Sequence, residues 1–349
     1  MLPVFGSSPD QEQVEKFKTS PQYNHQERRF VNRLPQVLEQ MRKEAFNFAT
    51  IKEWLFEGEA RTPAKPLPEV KPDLTEFLKA SEQVKVIWFG HSTFMLNFSG
   101  KIILVDPVFS GSASPVGFMV KRFQPPVLQL EELPPIDIVL ISHDHYDHLD
   151  METMKFFAKK NPKFIMPLGV GSHLRGWGVK AESITELDWW QSKIMDGVEF
   201  IATPAQHFSG RGVSDGNKTL WASWVIRNQQ HNIYFSGDSG YDTHFKAIGD
   251  KYGPFDIAFI ENGQYNQKWR AVHQLPEESV QAYFDLKAKR FFPIHWGMFV
   301  LSLHSWRHPV DELLRLSKER GVNIVTPKLG EIVAVGDSYR NSEWWSELD

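Results

Sequence analysis

The 349-residue chain contains no cysteine, and this absence excludes several kinds of chemistry at once. Without thiols the protein has no disulfide bridges, no thiolate nucleophile and no zinc–thiolate site. No apolar run approaches the roughly 18–20 residues that a membrane-spanning helix needs, and residues 1–5 lack the basic start of a signal peptide. We therefore expect a cytoplasmic or peripherally membrane-associated protein. A periplasmic location after removal of an N-terminal anchor stays open.

The chain also has no large excess of charge of either sign. The 39 Lys and Arg residues against 43 Asp and Glu residues give a formal net charge of −4, and no run of like charge is long. A protein that binds nucleic acid usually carries a basic surface, so we expect no nucleic-acid partner. The hydrophobic content of 41% is ample for a buried core. The sequence gives no indication of the oligomeric state.

Residues 1–83 differ in composition from the rest of the chain. They are charged, mixed and interrupted by proline, which breaks helices. We predict an N-terminal extension that is partly helical and packs on the main domain. Its helices are predicted at about 35–56 and 73–80.

Residues 84–349 are predicted to form the main domain, of the α/β class. Short apolar runs predict consecutive strands at 84–89, 93–98 and 101–105, with a hairpin turn at Ser99-Gly100. Strands then alternate with helical stretches. Capping and proline signals place helices at 150–159, with Asp150 as N-cap, at 276–286 and at 309–320.

The run His143-Asp144-His145-Tyr146-Asp147-His148 directly follows an apolar stretch at 136–141. Neutral imidazoles and carboxylates are ligands of zinc, iron and related transition metals. A buried strand that ends in this turn therefore predicts a metal site.

Four further polar residues each follow an apolar, strand-like run. They are Asp106, His207, Asp238 and His295. An α/β scaffold gathers a site from distant parts of the chain by carrying its residues at the ends of several strands. These four residues are therefore predicted to join the histidine-rich turn.

This order of residues resembles that of the metallo-β-lactamase superfamily. The resemblance is closer still to the N-acylphosphatidylethanolamine-hydrolysing phospholipases D and their bacterial relatives, and it covers about residues 84–336. The matching stretches are 88–93, 106–110, 133–137, 142–150, 186–190, 203–207, 237–241 and 294–297. The chain departs from the family at 261–267, where the family is closer to Pro-Ile-Gly-Ala-Tyr-Glu-Pro. We predict that this departure leaves the metals unaffected and alters the substrate pocket.

The resemblance implies an αββα sandwich, with two mixed β-sheets and helices on both outer faces. It also implies a centre with two zinc ions, for which iron or manganese stays open. The implied ligands are His143, His145 and His207 for one metal, Asp147, His148 and His295 for the other, and Asp238 as the bridge. Asp106 is expected to hold a ligand imidazole in place.

The implied activity is that of a phosphodiesterase of phospholipase D type. A hydroxide held by the metals attacks the phosphorus of an N-acylphosphatidylethanolamine-like lipid and releases N-acylethanolamine and phosphatidic acid. Asp147 and Asp238 are expected to be catalytic as well as metal-binding. His273 is predicted to donate a proton or a hydrogen bond to the substrate, and a helix-cap role for it stays open. The phospholipid or another phosphodiester is the expected partner, with peripheral membrane contact.

Two other functions stay open. A lactonase or related carbonyl hydrolase acting on a phosphorylated sugar lactone would use the same metals, and a non-catalytic metal-binding protein would use only the scaffold. The loop at 109–126 mixes apolar and basic residues. It either shelters an acyl chain or touches a membrane, or else it packs inward over the site, which we favour.

The remaining histidines and a tryptophan pair receive weaker predictions. His91 either orients a ligand or satisfies a turn, and His304 is as well explained by a structural role as by the site. Trp189 and Trp190 are predicted to be core. Ordinary polar positions are predicted for His25, His173, His231, His244 and His308.

Overall fold

A computed structural model of the chain describes residues 2–45, 47–56 and 60–348. The strands are β1 (Tyr23–Asn24), β2 (Arg29–Phe30), β3 (Lys85–Trp88), β4 (Phe94–Phe98), β5 (Lys101–Val105), β6 (Ile138–Leu140), β7 (Lys163–Pro167), β8 (Ile184–Leu187), β9 (Ser192–Met195), β10 (Val198–Thr203), β11 (Ser223–Arg227), β12 (Asn232–Phe235), β13 (Ile257–Glu261), β14 (Phe291–Ile294) and β15 (Ile332–Ala334). The α-helices are α1 (Gln11–Phe17), α2 (Pro35–Ala45), α3 (Phe48–Phe56), α4 (Leu74–Leu78), α5 (Met151–Ala158), α6 (Gly171–Gly176), α7 (His244–Tyr252), α8 (Pro276–Asp285) and α9 (His308–Arg320).

Two mixed sheets form the centre of the molecule. The larger has the order β15-β3-β4-β5-β6-β7-β8, antiparallel as far as β5 and parallel from β5 to β8. The smaller has the order β14-β13-β12-β11-β10-β9, in which β12, β13 and β14 are parallel and the other pairs antiparallel. β1 and β2 pair only with each other.

Alternation along the strands sends apolar side chains to both faces of each sheet. On β4, Phe94, Leu96 and Phe98 belong to the cluster between the two sheets. Met95 points the other way, into a second cluster on the outer face. Strands buried on both faces read as continuous apolar runs, which is why the sequence predicts these strands well.

Helices cover both outer faces. On the larger sheet, α5 packs Met154 and Phe157 into the outer cluster. On the smaller sheet, α8 and α9 do the same with Val280 and Leu313. The predicted αββα sandwich is thereby confirmed.

The predicted helix over 35–56 is wrong in one respect. The chain forms two helices, α2 and α3, with a bend at Asn47, while residue 46 lies outside the described residues. The Asn47 side chain accepts a hydrogen bond from the Thr50 N–H at 3.0 Å and donates one to the Glu44 carbonyl at 2.7 Å. An N-cap side chain of this kind begins a new helix. Residues 57–59 also lie outside the described residues.

Residues of the predicted extension reach the main core. Phe17, Tyr23 and Phe30 are buried in the same cluster that lies between the two sheets. The Phe17 ring centroid is 5.1 Å from that of Phe30. Among the described residues, no helix has the length and apolar character needed to cross a membrane.

Candidate metal centre

The predicted site residues lie at one edge of the sandwich, where several strands end. Asp106 follows β5, the histidine-rich turn follows β6, His207 follows β10, Asp238 follows β12 and His295 follows β14. Because the ends of parallel strands meet at the same sheet edge, distant parts of the chain arrive together. The structure brings all seven predicted ligands into one cluster.

The position of Asp238 depends on a close contact between two turns. Gly237 has a φ of 55°, and a Cβ atom there would lie 2.8 Å from the Ser142 Cβ and 3.0 Å from the Ala222 carbonyl oxygen. Only glycine fits this contact without a shift of the neighbours. The turn after β12 can therefore lie directly against the turn after β6.

One group of donor atoms comes from three histidines. The Nδ1 atom of His145 lies 2.9 Å from Nε2 of His143 and 3.2 Å from Nε2 of His207. The Oδ2 atom of Asp238 lies 3.7 Å from both Nε2 atoms. These four residues form a group that can hold a cation.

A second group shares Asp238. The Nε2 atoms of His148 and His295 each lie 3.2 Å from Asp238 Oδ2. They lie 3.4 and 3.2 Å, respectively, from Asp147 Oδ2. Asp238 therefore faces both groups with the same oxygen, and a single carboxylate oxygen can bridge two cations.

The donor spacing fits a tetrahedral transition metal. With Zn–N bonds of 2.0–2.1 Å, neighbouring donor atoms of a tetrahedral site are about 3.3 Å apart, and the spacings here run from 2.9 to 3.7 Å. The buried Nε2 atom of His148 lies 3.2 Å from Asp238 Oδ2 and 3.4 Å from Asp147 Oδ2 and has no hydrogen-bond partner. Buried polar atoms without a partner are costly, and a bound cation would satisfy this one.

The pKa shifts of the cluster residues also favour a bound cation. Burial lowers the pKa of His143, His145 and His207, which keeps them neutral and able to coordinate. Burial also lowers the pKa of His148, but the nearby Asp238 and Asp147 carboxylates raise it more, and the net direction is upward. The carboxylates thus favour a positive charge between them.

Asp106 contacts the imidazole of His148, one of the predicted ligands. It is fully buried, its Oδ2 atom lies 2.7 Å from His148 Nδ1, and its Oδ1 atom accepts the Ser142 N–H at 2.7 Å. The Ser142 hydroxyl donates to Asp106 and lies 2.9 Å from His143 Nδ1. Each imidazole is thereby held through Nδ1 with Nε2 towards the cluster.

His91 contacts the centre directly. Its Nε2 atom lies 2.9 Å from Asp147 Oδ2, and His91 joins Asp147, His148 and His295 in a group that can hold a cation. Of the two roles considered for His91, orienting a ligand agrees with this contact. His91, Asp106 and His295 also have positive φ angles of 52°, 37° and 67°, and such strain in non-glycine residues is concentrated at functional sites.

Glu261 is a site residue that the sequence prediction missed. This buried residue ends β13, and its Oε2 atom lies 2.8 Å from His273 Nδ1 and 3.4 Å from His295 Nδ1. Burial raises the pKa of Glu261 to about 7, against the opposing effect of His273. Burial lowers the pKa of His273, but the Glu261 charge and hydrogen bond raise it more. The prediction that the departure at 261–267 leaves the metals unaffected stays a prediction, and within this segment Glu261 lies 3.4 Å from the predicted ligand His295.

Asn32 is a second residue that the sequence prediction missed. Its buried side chain donates to the His207 carbonyl at 2.7 Å and accepts the His207 N–H at 3.1 Å. On the other side, His207 Nδ1 lies 3.1 Å from the Val272 carbonyl oxygen. The predicted extension therefore holds the backbone of the predicted metal ligand His207.

A cavity of about 400 Å³ opens onto the cluster. Its lining includes the site residues His145, Asp147, Asp238, His273 and His295. The rest of the lining is mostly apolar and comes from Met41, Ala45, Thr50, Phe208, Gln264, Trp269, Val272 and Leu301. Helix α2 and the start of α3 thus form one wall of the site.

The favoured interpretation of the loop at 109–126, in which it covers the site, is wrong. None of the described residues that line the metal-centre cavity belongs to this loop. Loop residues instead line a separate cavity of about 440 Å³ with Tyr146, Asp150 and Arg211. Asp150 is the N-cap residue of α5, as predicted, but its side chain accepts hydrogen bonds from Ser110 in this loop and makes no capping bond to the α5 backbone.

Two of the histidines predicted to be ordinary are buried. His173 lies 3.2 Å from Asp144 Oδ2, and His244 lies 3.1 Å from the Ser239 hydroxyl. Of the tryptophan pair, Trp189 is buried as predicted, but Trp190 is 38% exposed and stacks on Tyr252.

Comparison with known proteins agrees with the fold and the site. A family model described as a beta-lactamase superfamily domain matches residues 101–296, more than half of the chain. An uncharacterised Mycobacterium tuberculosis protein is 39% identical over 327 residues, which cover 92% of this chain and 87% of that one. The N-acyl-phosphatidylethanolamine-hydrolyzing phospholipase D 1 of Caenorhabditis elegans is 36% identical over 268 residues, or 72% of this chain and 75% of that one.

A solved structure shares the fold. The metallo hydrolase Igni18 of Ignicoccus hospitalis superposes with a TM-score of 0.57 at 21% identity, over 73% of this chain and 100% of that one. The chain therefore belongs to the metallo-β-lactamase superfamily of metal-dependent hydrolases.

Proposed function

We propose that this protein is a dinuclear zinc phosphodiesterase of phospholipase D type, which cleaves N-acylphosphatidylethanolamine or a phospholipid of similar build. The observation that carries the proposal is the apolar cavity beside the metal cluster. A phosphorylated sugar lactone calls for cationic side chains, and the described residues that line this cavity include no lysine or arginine. An acyl chain, in contrast, needs the kind of apolar wall that Met41, Phe208 and Leu301 provide. The 36% identity to the Caenorhabditis elegans phospholipase supports the same substrate class.

The ligand residues form two sets, one for each cation. We assign His143, His145 and His207 to one ion. Asp147, His148 and His295 are assigned to the other ion, and Asp238 to both. When bound, two divalent ions supply an activated water and stabilise the negative charge of the phosphoryl group. Asp238 in addition offsets the mutual repulsion of the two cations.

His273 is proposed to be the proton donor. Its ring lines the cavity, and Glu261 holds its Nδ1 atom, so Nε2 is the nitrogen left for the substrate. The oxygen of water forms a bond to phosphorus while the bond from phosphorus to the ethanolamine oxygen breaks. The leaving oxygen takes the proton from His273, and the proton given up by the water returns to the imidazole through solvent. The products are N-acylethanolamine and phosphatidic acid.

We also propose peripheral contact with a membrane surface. Phe48 lies in the sequence between two residues of the cavity wall, Ala45 and Thr50, and its side chain is 83% exposed. Aromatic side chains at such a surface favour the lipid interface. Replacement of Phe48 by Ser is expected to reduce co-flotation with phospholipid vesicles and to leave hydrolysis of a water-soluble phosphodiester unchanged.

Metal analysis beside three hydrolysis assays tests the proposed function. We expect about two zinc ions per chain and turnover of both bis(p-nitrophenyl) phosphate and N-acylphosphatidylethanolamine. Asp238→Ala is expected to lose metal and activity together. Turnover of a lactone with no turnover of either phosphodiester would overturn the proposal in favour of a carbonyl hydrolase.

A further inference from the structure

One buried carboxylate lies between the proposed proton donor and a metal ligand. Glu261 has its Oε2 atom 2.8 Å from His273 Nδ1 and 3.4 Å from His295 Nδ1. Its Oε1 atom accepts the Gln274 N–H at 3.0 Å. The residue has no exposed surface, so its oxygens depend on these partners alone.

The position of Glu261 decides which nitrogen each imidazole presents. A carboxylate accepts hydrogen bonds, so it favours the tautomer that carries a proton on Nδ1. The Nδ1 atom of His295 lies 3.4 Å from Glu261 Oε2 without a hydrogen bond between them. The carboxylate acts on this ring through its charge, which favours a proton on Nδ1 and leaves the Nε2 lone pair towards Asp147 and Asp238, each 3.2 Å away. For His273 it leaves Nε2 towards the substrate, with a negative charge behind the ring to stabilise its protonated form.

The imidazole rings of His273 and His295 also lie nearly parallel to each other. Their centroids are 5.1 Å apart and their planes differ by 12°. Glu261 Oε2 therefore lies beside two nearly parallel imidazole rings. Gly263 permits this arrangement, because a Cβ atom there would lie 1.9 Å from the His295 carbonyl oxygen.

We propose that Glu261 is a positioning residue that orients His273 and His295 at once, and so fixes the proton donor relative to the metal ligands. The His273 part rests on the proposed function, whereas the His295 part requires only that the centre holds metal. The two parts are tested by separate measurements.

The first measurement compares leaving groups in the metal-loaded Glu261→Gln variant. An alkoxide needs a proton as it leaves and p-nitrophenolate does not, so loss of a well-placed proton donor affects only the alkoxide. We expect kcat on N-acylphosphatidylethanolamine to fall by about 100-fold or more, and kcat on bis(p-nitrophenyl) phosphate to fall far less. In the double variant with His273→Ala, the loss should be no larger than that of His273→Ala alone, because the two residues act as one unit.

The second measurement needs no substrate. The residues that hold a metal-binding histidine typically change metal affinity by about 10–100-fold, so Glu261→Gln should release metal to a chelator at a correspondingly lower chelator concentration. The Nδ1 proton of His273, detected by NMR, should lose its strongly hydrogen-bonded shift. Glu261→Asp keeps the charge and should restore part of both signals, and it replaces Glu261→Gln if that variant does not fold.

Glu277→Gln is the matched control. Glu277 is an exposed glutamate in the first turn of α8, and its replacement should change neither measurement. Equal losses of kcat on both phosphodiesters, with unchanged metal release and an unchanged His273 signal, would overturn the proposal. If the unmodified protein cleaves neither phosphodiester, the proposed function fails, while metal release and the His273 signal still decide the role of Glu261.

Discussion

Replacement of Asp106 by Asn tests the metal centre without replacing any predicted metal ligand. Asp106 is fully buried behind the cluster, and its Oδ2 atom lies 2.7 Å from His148 Nδ1. Asparagine has almost the same shape and tolerates the positive φ of 37° found here. The variant therefore keeps the backbone, removes the negative charge that holds His148 and replaces one of the two acceptor oxygens by an NH2 donor.

The size of the effect follows from the position of His148. Its Nε2 atom lies 3.2 Å from Asp238 Oδ2 and 3.4 Å from Asp147 Oδ2, so it belongs to the second group of ligands. Loss of the residue behind a metal-binding histidine lowers metal affinity by about 10–100-fold, or about 1.4–2.7 kcal/mol. The ion bound through His148 should be weakened more than the other, since Asp106 contacts His148 directly and reaches His143 only through the Ser142 hydroxyl.

Elemental analysis after equilibration in a series of zinc buffers measures this directly. The variant should pass through a plateau of about one ion per chain at free zinc concentrations where the unmodified protein holds two. Asp196→Asn is the control, because Asp196 also has a positive φ, of 51°, but is exposed and pairs with Lys163. A correctly folded Asp106→Asn variant with two ions of unchanged affinity would refute the assigned role.

Three further predictions concern the surroundings of the site. Asn32→Ala leaves two buried backbone groups of His207 without partners, at about 1–3 kcal/mol each, and should lower the free energy of unfolding measured in urea by about 2–6 kcal/mol. Met41→Trp fills part of the cavity and should raise KM for N-acylphosphatidylethanolamine by about tenfold, equivalent to about 1.4 kcal/mol, with bis(p-nitrophenyl) phosphate as an unaffected control. Burial lowers the pKa of His244 to about 4, so between about pH 6.5 and 4 the unfolded chain binds more protons and stability falls as pH falls. In the metal-free protein, His244→Gln should remove about 2 kcal/mol of the stability lost between pH 7 and pH 5, and an unchanged urea profile would contradict this.

Much of the fold and the ligand set was predictable from the sequence, for a local reason. Strands such as β4 and β5 are buried on both faces and therefore read as unbroken apolar runs. A polar residue directly after such a run stands out, as Asp106 and His295 do. The order of the polar residues then indicates the superfamily, which supplies the pairing of strands that no local pattern contains.

Residues that act through tertiary contacts were not predictable in this way. Asn32 lies 175 positions from His207, and nothing in its neighbourhood marks it as part of a metal centre. His173 and His244 carry no local sign of burial either. Glu261 did leave a signal, since a carboxylate that ends the apolar run 257–260 repeats the pattern of the ligand-bearing strands.

The N-terminal extension is better understood as part of the active site than as an addition to it. Asn32 fixes the backbone of His207, and α2 supplies Met41 and Ala45 to the cavity wall. Met41 packs with Leu38 and Val272, and this cluster lies apart from the main core. We propose that the boundary near residue 83 separates two kinds of sequence but not two functions, because the superfamily scaffold provides the cations and the extension shapes the space that the substrate must enter.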